Sequence, residues 1–151
     1  MPFWEAGCQD LLDKSEIRET DSVKTLSEVE SIIITVGTPL NQHIESDLSS
    51  VRAVIRDLLK VLRPEQLLVL RSTVAPETTA YLKKFLELNS NLKVGKDIGL
   101  AFCPERLAEN KALAELETLP QIIGTEDDLS REKAEALFSK FGLKIFHSNY
   151  V

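Results

Sequence analysis

Five short apolar runs punctuate the chain, and between them lie longer stretches whose apolar residues recur every three or four positions. Ile32–Val36 is β-branched throughout and apolar but for Thr35, Leu67–Leu70 is wholly apolar, and Ile98–Phe102, Gln121–Ile123 and Lys144–Phe146 complete the set. Unbroken runs, unlike alternating ones, predict strands covered on both faces, as in a parallel sheet. From Asp47 to Leu62 the residues Leu48, Val51, Ile55, Leu58, Leu59 and Leu62 trace one face of a helix, with Ser46 or Asp47 to cap it and Pro64 beyond its end. A second helix is expected to open at Pro76, a residue suited to a first helical turn, and to bury Tyr81, Leu82, Phe85 and Leu86. Ser130–Phe141 places Ala134, Leu137, Phe138 and Phe141 on one side and is closed by Gly142. Residues 106–117 read as partly helical, with Leu107, Leu113 and Leu116 available to pack, and Glu5–Lys14 as an earlier short helix.

Strands alternating with helices define an α/β fold, here a doubly wound, mostly parallel sheet. In such sheets ligands lie beyond the carboxyl ends of the strands, so the residues to inspect follow each run. These are Gly37-Thr38-Pro39, Arg71-Ser72-Thr73-Val74, Cys103-Pro104-Glu105-Arg106 and Gly124-Thr125. Gly37 allows close approach to the backbone, and the hydroxyls of Thr38, Ser72 and Thr73 suit a ribose, a phosphate or a water. The same residue types are favoured in ordinary strand-to-helix turns, so no single turn is specific. Glu105 follows a rigid proline turn, where partial burial would favour its protonated form and proton transfer near neutral pH; a helix-start carboxylate is the plainer alternative. Arg106 suits either a carboxylate or phosphate partner or a surface ion pair. Cys103 follows an apolar strand with no histidine near it in sequence, which describes a packed thiol and not a nucleophile. His43, His147 and the stretch Glu126-Asp127-Asp128 read as surface features, the last also capping the final helix.

Composition narrows the class. The 151 residues fit one domain, and a net charge of −6 argues against nucleic-acid or membrane surfaces, both of which attract basic patches. The acidic N-terminal stretch is unlike a signal peptide, so the expected location is cytoplasmic. Cys8 and Cys103 belong to no metal-binding cluster, so reduced thiols and no metal site are expected.

Taken together and in order, PFWEAGCQDLL, ITVGTPL, RSTVAPETT, AFCPERLAENKAL and LPQIIG resemble the UDP-glucose/GDP-mannose dehydrogenase family over nearly the whole chain. The CPERLAE form is most similar to its UDP-N-acetylmannosamine and UDP-N-acetylgalactosamine branch. The resemblance implies a Rossmann-like domain and NAD-dependent oxidation of a UDP-N-acetylhexosamine, UDP-N-acetylmannosamine by preference, to its uronic acid through an aldehyde. It places Thr38 and Ser72 near the cofactor, Thr73 at the hydrolytic water, Glu105 as the acid–base carboxylate, and Arg106, Leu107 and Glu109 beside the sugar nucleotide. Implied partners are a UDP-sugar and either a second copy or a complementary chain.

The six glycines form no GxGxxG fingerprint, so the pyrophosphate cradle at a helix start is not in this sequence. The expectation is therefore a partial NAD-binding domain, residues 1–151, lacking the first βαβ unit and the C-terminal cysteine domain and inactive alone. The alternative is a non-catalytic sugar-nucleotide or protein-binding module descended from such a dehydrogenase. Glu77 and Asn110 stand where the family usually has glycine. The polar turns that follow the strands are expected to share one rim of the sheet.

Overall fold

A computed structural model describes residues 7–39, 47–108, 110–116 and 118–150. Its strands are β1 (Ser31–Ile34), β2 (Leu67–Leu70), β3 (Gly99–Phe102), β4 (Gln121–Gly124) and β5 (Ile145–Ser148), side by side in that order. The pairs β1–β2, β2–β3 and β4–β5 are parallel, and β3–β4 is antiparallel. The fold is thus a Rossmann-like, mostly parallel doubly wound sheet with one reversal inside it.

Helices α1 (Cys8–Lys14), α2 (Ser49–Leu58), α3 (Thr78–Asn89), α4 (Ala112–Leu116) and α5 (Asp128–Phe138) complete the frame, with 3-10 turns at Val23–Glu28 and Ser139–Phe141. Two successive steps in one direction across the sheet put both crossover helices, α2 and α3, on the same face. There Val51, Ile55 and Leu58 of α2 and Leu82 and Leu86 of α3 pack on Ile32, Ile34, Leu68, Leu70 and Leu100. On the other face Ala134 and Phe138 of α5 meet Leu67, Val69, Ala101, Cys103 and Ile123. The interior strand β2 is buried on both sides, which is why its sequence is apolar without alternation.

Three expectations need correction. β1 is not covered on both faces: α5 lies over β2, β3 and β4, and Ile33 at the sheet edge is 46% exposed. Tyr81 is 41% exposed because the buried face of α3 is set by Leu82 and Leu86, one position further round. Pro76 sits in the turn before α3 rather than in its first helical turn, since Glu77 adopts a left-handed φ of 67° and delays the helix to Thr78. Residues 106–117 are helical in part, as expected, with α4 at Ala112–Leu116. At about 1.5 Å per residue α4 rises roughly 7.5 Å, against roughly 13 Å for a four-residue strand. It does not carry the chain back to the starting end of β3, and β4 enters the sheet from the end at which β3 leaves it.

The final helix is capped as its sequence suggests: Asp127 Oδ1 accepts from the Ser130 amide at 2.7 Å. Asp47 accepts from the Ser49 amide at 2.8 Å at the start of α2. Ser46, His43 and residues 5 and 6 lie outside the described residues. One internal contact escaped the pattern. Gln66 is fully buried, and its amide donates to the carbonyls of Leu26 (2.8 Å) and Val29 (2.7 Å) while its oxygen accepts from the Arg63 amide (3.0 Å). This side chain ties the segment entering β1 to the strand beside it.

Candidate functional site at the strand ends

The ladder between β1, β2 and β3 continues past the strands and sets the rim. The amide of Arg71 donates to Ile34 O (2.9 Å), that of Cys103 to Leu70 O (2.9 Å), and that of Glu105 to Arg71 O (3.1 Å). These bonds align Thr38, Ser72, Thr73 and Glu105 at the same end of three parallel strands. Thr38 donates its hydroxyl to the carbonyl of Thr73, so the first two turns are joined. Ser72 is buried and donates to Val36 O at 2.6 Å. Both hydroxyls thus brace neighbouring turns, while Thr73 is exposed. Beside them a Cβ built on Gly37 would meet nothing within 4 Å, so the backbone there faces open space.

Glu105 is bound at both carboxylate oxygens. Oε1 accepts from the amides of Arg106 (2.8 Å) and Leu107 (2.9 Å), closing its own turn. Oε2 accepts from Nε (2.8 Å) and Nη2 (2.7 Å) of Arg71. Burial pushes the Glu105 carboxyl up, but the Leu107 amide, the Arg71 charge, the Arg106 amide and the Arg71 hydrogen bond outweigh it, and the net shift is downward. The expected protonated form is therefore corrected: the site presents a carboxylate. Cys103 behaves as the sequence suggests. It is fully buried, and burial pushes its thiol up to about 12, against a smaller opposing pull from Arg71.

Among the described residues Arg106 pairs with no carboxylate; its Nη1 donates to Pro120 O at 3.2 Å. Leu107 is half-buried beside it, and Glu109 lies outside the described residues. The loop is braced further by Glu115 of α4, which accepts from the Ala108 amide at 2.7 Å. His147 lies within β5 rather than after it and is 2.8 Å from Glu135.

The reversal of β4 removes one turn from the rim. Gly124 pairs with Phe102, and the chain beyond it runs toward the starting end of β3, where a Cβ on Gly95 would lie 2.8 Å from Asp127. Buried Thr125 is thus remote from Thr38 and Glu105. What reaches the site instead is the first residue of β4, Gln121, whose Oε1 accepts from Arg71 Nη1 at 3.2 Å. Arg71 and Gln121 are the residues the sequence reading missed. A cation directly after a buried strand was the available signal for Arg71.

The NAD-binding domain description of the UDP-glucose/GDP-mannose dehydrogenase family matches residues 1–142. The chain belongs to that family. It is 31% identical to the UDP-N-acetyl-D-mannosamine dehydrogenase of Pyrococcus horikoshii over 93% of this chain and 33% of that protein. It is 30% identical to the GDP-mannose 6-dehydrogenase of Pseudomonas savastanoi pv. phaseolicola over 98% of this chain and 36% of that one. The solved structure of the Pyrococcus horikoshii enzyme superposes with a TM-score of 0.91 at 29% identity, covering 99% of this chain and 37% of its own. That of GDP-mannose dehydrogenase from Pseudomonas aeruginosa gives 0.88 at 26%, covering 99% and 36%. The chain therefore spans about a third of the length of these relatives.

The two positions where the resemblance implies glycine share one backbone conformation. Glu77 and Asn110 have φ of 67° and 62°, the left-handed region that glycine enters without strain. Asparagine tolerates it; glutamate does not share that ease.

The family's cofactor is a dinucleotide, and the described residues fit it in part. Gly37 offers an open backbone wall, but the hydroxyls of Thr38 and Ser72 are turned onto carbonyls, and no glycine-rich cradle follows a strand. These residues do not by themselves make a dinucleotide site. Among the described residues no three His, Cys, Asp or Glu side chains gather to bind a metal, and no helix is long and apolar enough to cross a membrane.

Proposed function

We propose that this chain is part of the NAD-binding domain of a cytoplasmic nucleotide-sugar dehydrogenase that oxidises a UDP-N-acetylhexosamine, UDP-N-acetylmannosamine by preference, to its uronic acid. The chain alone is inactive, and it supplies one wall of the pocket. In this reading Glu105 is the acid–base carboxylate, Thr73 positions the hydrolytic water, Thr38 and Ser72 support the cofactor side, and Arg106, Leu107 and Glu109 border the sugar nucleotide. The observation that supports it best is the shared rim: the ladder past β1–β3 brings Thr38, Thr73 and ionised Glu105 to one end of the sheet in the order of the family motifs.

The other wall would come from a second copy or a complementary chain seated along β1. That strand pairs with β2 alone among the described residues and leaves Ile33 open, and unpaired strand edges recruit new strands. Light scattering is expected to show a species larger than a monomer; a monodisperse monomer that binds no apolar dye contradicts this part.

The test of the site mixes the purified chain with NAD and UDP-N-acetylmannosamine. No absorbance is expected to develop at 340 nm, while the sugar nucleotide weakly shifts the amide resonances of Glu105, Arg106 and Leu107. Turnover by the chain alone defeats the claim that it is incomplete, and shifts confined to other elements defeat the assignment of the rim. A second reading, a non-catalytic binding module, draws support from Glu77, whose carboxylate stands at the start of α3 and would repel a pyrophosphate pointing there. Sugar-nucleotide binding that survives, without turnover, when a complementary domain is added favours it.

A further inference from the structure

The two oxygens of Glu105 have separate roles. Oε1 closes the 105–107 turn through two amides, whereas Oε2 is bound by Arg71 alone among the described contacts. Arg71 in turn has little freedom. Its backbone is fixed on both sides by the strand ladder, through Ile34 O and the Glu105 amide, and its side chain is only 13% exposed. From the end of β2 the guanidinium passes beneath β3. There Nη1 lies 3.5 Å from the Cys103 carbonyl and 3.2 Å from Gln121 Oε1 on β4, and its carbon sits 5.6 Å from the centre of the Phe138 ring. A planar fork suits this arrangement: one edge faces the carboxylate while the other is pinned from behind.

We propose that Arg71 is the positioning residue of the Glu105 carboxylate, backed by Gln121 and Phe138. This rests on the reading above that Glu105 is the reactive carboxylate. It follows that β4, although reversed, takes part in the site through its first residue. The Arg71 charge and hydrogen bond are also among the influences that lower the Glu105 carboxyl.

The test follows the side-chain carboxyl resonance of Glu105 by NMR across an acid titration in wild type, Arg71→Met, Arg71→Lys and Gln121→Leu. Removing a cation in contact with a half-exposed carboxylate is expected to raise the midpoint by on the order of one pH unit in Arg71→Met. Arg71→Lys, which keeps the charge but loses the fork, falls between, and Gln121→Leu gives a smaller rise because Arg71 loses its rear anchor. The amides of Arg106 and Leu107 keep their shifts throughout, since the Oε1 turn is untouched. An unchanged midpoint in Arg71→Met, or a Lys variant no closer to wild type than the Met variant, overturns the positioning role. If Arg71→Met does not fold, the Lys and Gln121→Leu midpoints decide, and no rise in either overturns it. Adding UDP-N-acetylmannosamine to the same samples separates the two ideas. A titration that moves while the sugar leaves Glu105 and Leu107 unperturbed supports the positioning and removes the site assignment it serves.

Discussion

Replacing Gln66 with leucine exchanges a buried amide for an apolar side chain of similar size, so packing is nearly preserved and the hydrogen bonds are what change. Three are lost: two from the amide to Leu26 O and Val29 O, and one from the Arg63 amide to the side-chain oxygen. A buried polar group left unpaired costs about 1–3 kcal/mol. Here Val29 is 37% exposed and Leu26 only partly buried, so water reaches the stranded carbonyls to some extent and the lower figure applies. At roughly 1 kcal/mol per bond the loss is about 3 kcal/mol. For a chain of this size, ~2–4 °C per kcal/mol makes that roughly 6–12 °C in Tm. Urea unfolding followed by circular dichroism measures the first quantity and a thermal scan the second. Hydrogen exchange should locate the damage: the Leu67 amide, which donates to Glu30 O at 2.8 Å, is expected to exchange faster because the segment before β1 is released. Gln9→Leu is the control, because Gln9 is exposed and donates to Asp13 on the surface of α1; it should change stability by less than ~0.5 kcal/mol. A Gln66→Leu loss below about 1 kcal/mol, with the urea slope unchanged, would refute the reasoning, since it would mean the three groups find water without penalty.

Glu77→Gly removes a left-handed penalty of about 1–2 kcal/mol, partly offset by the greater freedom of unfolded glycine and by a lost carboxylate at a helix start, so a net gain of about 0.5 kcal/mol in urea unfolding is expected. Asn110→Gly, at a similar φ, should gain less because asparagine tolerates the conformation, and the reverse order would count against this account. The Glu105 carboxyl is lower in the fold than in the unfolded chain, so its contribution is complete above the unfolded value of ~4.3 and is lost as pH falls through the folded one; stability of Glu105→Gln should fall less steeply than wild type below about pH 4. A thiol reagent at pH 8 is expected to label the half-buried Cys8 in the native chain and Cys103 only after unfolding; rapid native labelling of Cys103 would contradict its burial.

Much of the fold was legible because the strongest physical signal, apolar area removed from water, leaves a direct trace in the sequence. The Leu67–Leu70 run is buried on both faces, and the three- and four-residue spacing of Val51, Ile55 and Leu58 maps onto the covered side of α2. The same signal misleads where covering depends on something other than the residue itself. Ile33 is as apolar as Ile32 and Ile34 but stands at a sheet edge on the face α5 does not cover. Tyr81 shows a different limit, since an aromatic adjacent to the true core stripe is satisfied by packing along Phe85 with rings 6.2 Å apart. Gln66 was invisible because nothing in a polar residue before a strand tells that its partners, 37 and 40 positions earlier, lie alongside it.

The site was legible in its residues and not in its direction. The motifs after β1, β2 and β3 led to Thr38, Thr73 and Glu105, which the ladder brings together; the error concerned the fourth strand, and it has a single source. The chain after β3, with the short α4 in it, is not returned along that strand, and β4 runs antiparallel to β3. With that direction, the residue arriving beside Glu105 is the one that opens the strand, and Thr125 leads away from the rim beyond Gly124, which pairs with Phe102. Gln121 at the rim and its bond to Arg71 are thus consequences of that reversal. The direction of β4 decides which polar side chain meets Arg71 behind the carboxylate, a dependence that no inspection of strand-end motifs alone would reveal.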